Sequence, residues 1–114
     1  MHELAVGQAI LDIARERAEG HSVERVSVRI GHFRQVVPDA LQFAWQMLTD
    51  GTDLDGCALD IEHVPAVVVC STCAARTTLD WPVMACATCG GIDVELLSGE
   101  EFQLASIDIG QEVS

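Results

Sequence analysis

Four cysteines stand in two close pairs, "CSTC" at 70–73 and "CATC" at 86–89, with twelve residues between them. Two thiols three positions apart share one tight turn and can grip one ion, and two such turns facing each other supply a tetrahedral sulfur shell. Cys70, Cys73, Cys86 and Cys89 are therefore the candidate ligands of a closed metal site. Zinc(II) suits a four-sulfur shell; iron, as in a rubredoxin, accepts the same shell, and spacing leaves both open. Four coordinated thiolates leave no vacant position, so this site argues for structure and against metal-assisted hydrolysis. Gly90 and Gly91 follow the second pair where Ala74 and Ala75 follow the first, so the second turn is expected to be the better formed.

The chain opens "MHEL". The Met1 amine, the amide nitrogens of His2 and Glu3 and the His2 imidazole can surround a divalent ion in one plane, an arrangement that suits nickel(II) or copper(II). The Glu3 carboxylate could orient the imidazole or add an axial oxygen. Taken by itself, a histidine at position 2 is more simply read as accidental, and the motif is weak in isolation. The fifth cysteine, Cys57, shares the parity of Leu59 and Ile61 and reads as a small buried hydrophobe. His21 reads as a solvated turn residue, His32 as a loop residue at a strand end, and His63 as a residue in the parity of Ile61. There is no Gly-rich phosphate loop, nucleophile elbow or His-Glu-x-x-His helix, so no catalytic set is visible and the chain is expected not to be an enzyme.

The elements that must position these residues follow from length, charge and periodicity. A chain of 114 residues allows one domain, or one with a small satellite. Eighteen acidic residues stand against six arginines and no lysine, a formal charge of −12 that repels phosphate backbones and anionic membranes. Nucleic acid and membrane are thus not expected partners, and a cation or a basic protein surface is. The start lacks the features of a signal peptide and no apolar run approaches spanning length, which predicts a cytoplasmic protein with reduced thiols.

Leu4, Gly7, Ile10, Leu11, Ala14 and Ala18 share one helical face, and Gly20 ends that helix. "ERVSVRIG" alternates as a half-buried strand. Pro38 suits a first helical position, and Leu41, Ala44, Trp45 and Leu48 line one face up to Gly51. "CALDIEHV" and "FQLASIDIG" are two further alternating strands, with the cysteine segment between them. The expected fold is α+β: two helices and a small three-stranded sheet from residues 1–65 and 99–114, with a zinc-ribbon-like four-cysteine module inserted over 66–98.

"MHEL" opening a helix, "VRIGHFRQVVPDALQFAWQMLTDGT", "ALDIEHVP", the two cysteine knuckles and "LLSGEEFQLASIDI" together closely resemble the hydrogenase nickel-incorporation family, HypA/HybF, over essentially the whole chain. The resemblance implies a metallochaperone that binds nickel(II) as cargo through Met1, His2 and Glu3 and holds structural zinc(II) at Cys70, Cys73, Cys86 and Cys89. It also implies work with a maturation GTPase and delivery to the large subunit of [NiFe]-hydrogenase. "GHFRQ" departs from the family, which more often has an acidic residue and small or apolar residues after "IG"; His32 there stands as an unassigned ligand candidate. The other classes open to the sequence are a zinc-ribbon interaction or regulatory protein and an iron electron carrier. The regulator would need a basic face, against which the charge speaks, and the carrier would be coloured.

Overall fold

The computed structural model of the chain describes residues 2–79 and 83–110. Its elements run α1 (Glu3–Ala18), β1 (Val23–Gly31), a 3-10 turn (His32–Arg34), α2 (Pro38–Thr49), β2 (Ala58–Val64), β3 (Val67–Cys70), β4 (Arg76–Thr78), β5 (Val94–Ser98) and β6 (Phe102–Ile109). They form two three-stranded sheets, ordered β2-β1-β6 and β4-β3-β5. By contacts the chain divides into two units, the first made of residues up to 29, 36–62 and from 103 onward, the second of 30–35 and 63–102.

The first unit holds both helices. Ile10, Leu11, Ala14 and Ala18 of α1 and Leu41, Ala44 and Trp45 of α2 are buried, on the faces the periodicity predicts. At Gly7 a Cβ would come within 2.9 Å of the Leu48 side chain, so the missing side chain lets α1 approach α2 there. Leu4 departs from expectation: it is exposed, and Glu3 takes the inward place in the first turn. The α1 stop is also made one residue early, with both Glu19 (φ 50°) and Gly20 (φ 86°) left-handed and the His21 ring 2.9 Å from the Ala18 carbonyl oxygen.

Helix α2 is tied to the chain around β2 by buried polar contacts. The Trp45 indole donates to the Cys57 carbonyl at 2.8 Å, and the Gln42 amide donates to the Leu59 carbonyl at 2.6 Å. A buried indole N–H without such an acceptor would be costly, so the tryptophan fixes the approach of residue 57 as well as filling the core. The buried Thr49, which the apolar pattern does not mark, satisfies its hydroxyl on the Trp45 carbonyl one turn back at 2.8 Å.

Cross-strand pairs give the strand directions. Gly110 N–H donates to Ser22 and Gly31 N–H to Glu101, with Arg25 beside Asp108 and Arg29 beside Gln103 between them, so β6 runs against β1. Arg25 pairs with Asp60 and Arg29 with Glu62, rising together, so β2 runs with β1. A parallel neighbour needs a crossover, and α2 supplies it.

The second unit has a small core of its own: Ala66, Val68 and Leu79 are buried, with Phe33, Val94 and Leu96 packed against them. Strand β3 is its centre, antiparallel to β4 (Val68 opposite Thr77) and to β5 (Val68 opposite Leu96), with an irregularity at Val67/Val68. Gly31 and Gly99 are in backbone contact there: a Cβ on Gly31 would lie 2.1 Å from the Gly99 carbonyl oxygen, which already accepts from Phe33 N–H at 2.8 Å. Neither position tolerates a side chain without moving the main chain.

Candidate metal centre

The cysteine pairs sit on two turns of one design. In the first, the Ala74 N–H donates to the Cys70 carbonyl and the Cys70 N–H to the Ala75 carbonyl, each at 2.9 Å. In the second, the Gly90 N–H donates to the Cys86 carbonyl and the Cys86 N–H to the Gly91 carbonyl, again at 2.9 Å. The fifth residue of each turn is left-handed, Gly90 at φ 74° and Ala74 at φ 63°. The two knuckles are therefore equally formed, correcting the expectation that the second is the better; alanine accepts a conformation that costs it more than glycine. The first knuckle follows directly from β3, and Ser71 N–H donates to the Asp93 carbonyl at 2.9 Å beside the start of β5.

The four sulfurs converge, all within 4.8 Å of one another. Cys70 Sγ lies 3.6 Å from Cys89 Sγ, and Cys73 Sγ lies 3.6 Å from Cys86 Sγ. Four sulfurs about 2.3 Å from a central ion have tetrahedral edges of about 3.8 Å, so this cluster fits a zinc-sized ion in an all-thiolate shell. Cys70 and Cys86 are buried, Cys73 and Cys89 exposed, and none of the four is in a disulfide.

The turns prepare the sulfurs as anions. The N–H groups of Cys89 and Thr88 aim at the Cys86 sulfur and hold its pKa down to about 6, and those of Cys73 and Thr72 lower Cys70 in the same way. At Cys73 the Ala75 N–H also favours the thiolate, but the Cys86 sulfur beside it and burial prevail and push the thiol up to about 11. Cys89 is raised likewise: the Gly91 N–H favours its thiolate, and the neighbouring Cys70 and Cys86 sulfurs oppose it. Without an ion the four sulfurs cannot all ionise together, whereas a divalent cation removes that repulsion.

At the other end of the chain, His2 is the N-cap of α1, its carbonyl accepting from Val6 N–H at 2.9 Å. Its ring is exposed, and Nε2 stands 3.6 Å from Glu3 Oε2. The Glu3 carboxylate is buried in the first turn, where the helix dipole favours a negative charge. Met1, the third member of that predicted set, lies outside the described residues. Cys57 is buried outside the cage, and burial pushes its thiol up.

Two histidines that periodicity keeps apart are adjacent. The rings of His32 and His63 have centroids 5.5 Å apart at 82°, because β1 and β2 are sheet neighbours. The available signal in the sequence is that each stands at the end of a predicted strand; strand order is needed to pair them.

The family described as hydrogenase/urease nickel incorporation, metallochaperone, matches residues 1–109. Among curated proteins, hydrogenase maturation factor HypA of Nostoc is 35% identical over 109 residues, covering 96% of this chain and 96% of that one. The HypA of Geotalea uraniireducens is 38% identical over 109 residues, covering 96% and 99%. Among solved structures, the solution structure of the Ni metallochaperone HypA from Helicobacter pylori is similar in fold, with a TM-score of 0.65 at 24% identity, covering 98% of this chain and 100% of that one.

Proposed function

The chain belongs to the HypA family of hydrogenase/urease nickel-incorporation metallochaperones, and we propose that it takes up nickel(II) as cargo at its N-terminus, keeps zinc(II) in the cysteine cage and passes nickel onward during hydrogenase maturation. The family match over residues 1–109, which takes in both Met-His-Glu and the two knuckles, is the observation that carries this reading.

Zinc(II) is the resident ion in this reading, held by Cys70, Cys73, Cys86 and Cys89. It supplies a closed structural cross-link, as a four-thiolate shell leaves no position for a reacting ligand. Nickel is bound by the Met1 amine, the backbone nitrogens of His2 and Glu3 and the His2 imidazole, a planar nitrogen set suited to nickel(II). The Glu3 carboxylate beside Nε2 orients the imidazole. The nickel-binding part comprises residues 1–65 and 99–114, and the zinc-binding part 66–98.

The chain acts as a carrier rather than a catalyst, in the cytoplasm. Among the described residues no helix is long and apolar enough to cross a membrane. Directed release draws on a maturation GTPase, since the sequence has no phosphate-binding loop, and the hydrogenase large subunit receives the ion. With a charge of −12, the matching partner surface is basic, and association should slow as salt is raised.

The test is titration of nickel(II) into untagged, N-terminally extended and His2→Ala proteins of equal zinc content. One residue added before Met1 turns the donor amine into an amide, and His2→Ala removes the imidazole. Both changes should weaken nickel severely without changing zinc content. Unaltered nickel affinity in the extended protein would remove the amine from the ligand set. As-purified protein should be colourless with about one zinc; a coloured preparation containing iron would favour the electron-carrier reading.

A further inference from the structure

We infer that His32 and His63 form a second site for a borderline divalent cation of the nickel(II) class, separate from both the cysteine cage and the N-terminus. The two side chains belong to the second unit and come from adjacent strands: His32 follows the last residue of β1, and His63 is the penultimate residue of β2.

Their backbones are held by contacts independent of the rings. The His32 carbonyl accepts from Gln35 N–H at 3.2 Å, and the neighbouring Phe33 is fixed by its N–H bond to Gly99 and by packing on the core of Ala66, Val68 and Leu79. His63 precedes Val64, which is buried, and Ala66, a member of that same core. The imidazoles themselves reach out of this frame, His63 exposed and His32 half-buried, so an ion has access to them.

The separation is that of a chelate. With metal–nitrogen distances of about 2.0–2.1 Å, two imidazoles on one ion place their centroids about 4.5 Å apart at a right angle and about 6.4 Å apart when opposed. The observed 5.5 Å falls between these limits, and perpendicular ring planes are no obstacle, because each ring can turn about its own metal–nitrogen axis. Two neutral imidazoles with water completing the shell are a ligand set that nickel(II), copper(II) and zinc(II) accept. An ordinary edge-to-face ring contact has similar geometry without any ion, and the experiment separates the two.

The protein for the test is the full chain, zinc-loaded, carrying His2→Ala so that the N-terminal set is disabled, with nickel(II) chloride as the probe. Paramagnetic broadening of the histidine ring signals is followed by NMR alongside isothermal titration. The rings of His32 and His63 should broaden together with one midpoint while His21 stays sharp. His32→Gln or His63→Gln should each weaken binding about 100-fold, because the second imidazole then no longer binds intramolecularly, and the double variant should abolish binding at this site. Broadening of one ring alone, or a single variant that leaves nickel affinity at the remaining ring unchanged, would reduce the pair to a ring contact and overturn the site. Titrating the protein with His2 intact alongside keeps this result distinct: loss of a tighter site on His2→Ala bears on the N-terminal reading, whichever way the pair behaves.

Discussion

Replacing Cys86 with alanine removes one of four sulfurs while leaving the apolar contacts of the second unit in place. That unit rests on few buried side chains: outside the cage, Ile30, Val64, Val68 and Leu79 are its large buried apolar residues among those described. Burying four such residues contributes about 6–12 kcal/mol, whereas a structural zinc contributes on the order of 10–16 kcal/mol at neutral pH. The ion is therefore the largest single contribution, and a three-sulfur remnant should release it. Helices α1 and α2 lie wholly in the first unit, which has its own core. Cys86→Ala should accordingly lose its zinc by metal analysis and lose amide dispersion for residues 63–102, with helical circular dichroism almost unchanged. Val68→Ala provides the contrast: it deletes two carbons from the same core, costs about 2 kcal/mol, and should keep both zinc and dispersion. Full zinc in Cys86→Ala, or equal collapse in Val68→Ala, would refute the assignment of the largest single contribution to the cage.

Gly31→Ala should disrupt the second unit by more than a typical surface substitution, since its Cβ would meet the Gly99 carbonyl at 2.1 Å; urea unfolding followed through Phe33 and Leu79 signals measures this, and wild-type stability would show that the backbone can part there. Leu41→Ala should destabilise the first unit by about 2–5 kcal/mol, as Leu41 is fully buried against α1, a loss read from the thermal midpoint of helical dichroism. Cys57 gives a pH dependence. Its folded pKa is raised by burial, so its contribution to stability is fully present below the unfolded value of about 8.5 and is lost as pH rises through the higher folded value. The decline in stability of the first unit above about pH 8.5 should be shallower in Cys57→Ala; identical slopes would show that the thiol stays solvated.

Features fixed by local chemistry were legible in the sequence. Pro38 opens α2, the apolar faces of both helices are buried as their spacing requires, and the two knuckles meet. Features fixed by partners were not. Periodicity places Leu4 on the apolar face, yet Glu3 is the buried member of that turn, because a face drawn from spacing does not locate the rim of a core. The sheet of β3, β4 and β5 has strands too short for alternation to mark, although "AVVVC", running straight into the first knuckle, is a short continuous apolar run of the kind a buried strand uses. The left-handed turn at Ala74 contradicts local preference and is set by the same hydrogen bonds that Gly90 makes easily. His32 and His63 are distant in sequence, and only the neighbouring of β1 and β2 brings them together.

The cysteine cage and the proposed N-terminal site differ in what surrounds the ion, and the difference matches retention against transfer. The cage sits on two turns whose N–H groups point at sulfur and stabilise negative charge before any ion arrives, and half of its sulfurs are buried. An ion leaving it would restore the repulsion among four converged sulfurs. The N-terminal set lies at the start of α1, where the helix dipole disfavours a cation by about 0.3–1 kcal/mol, and its imidazole is exposed. The Glu3 carboxylate offsets that penalty from within the first turn and can remain in place while the other ligands exchange one at a time. In the proposed reading, a site at the unfavourable end of a helix, compensated by one carboxylate and open to solvent, would bind an ion that a partner can remove, whereas the thiolate cage would keep its ion as a structural part of its own unit.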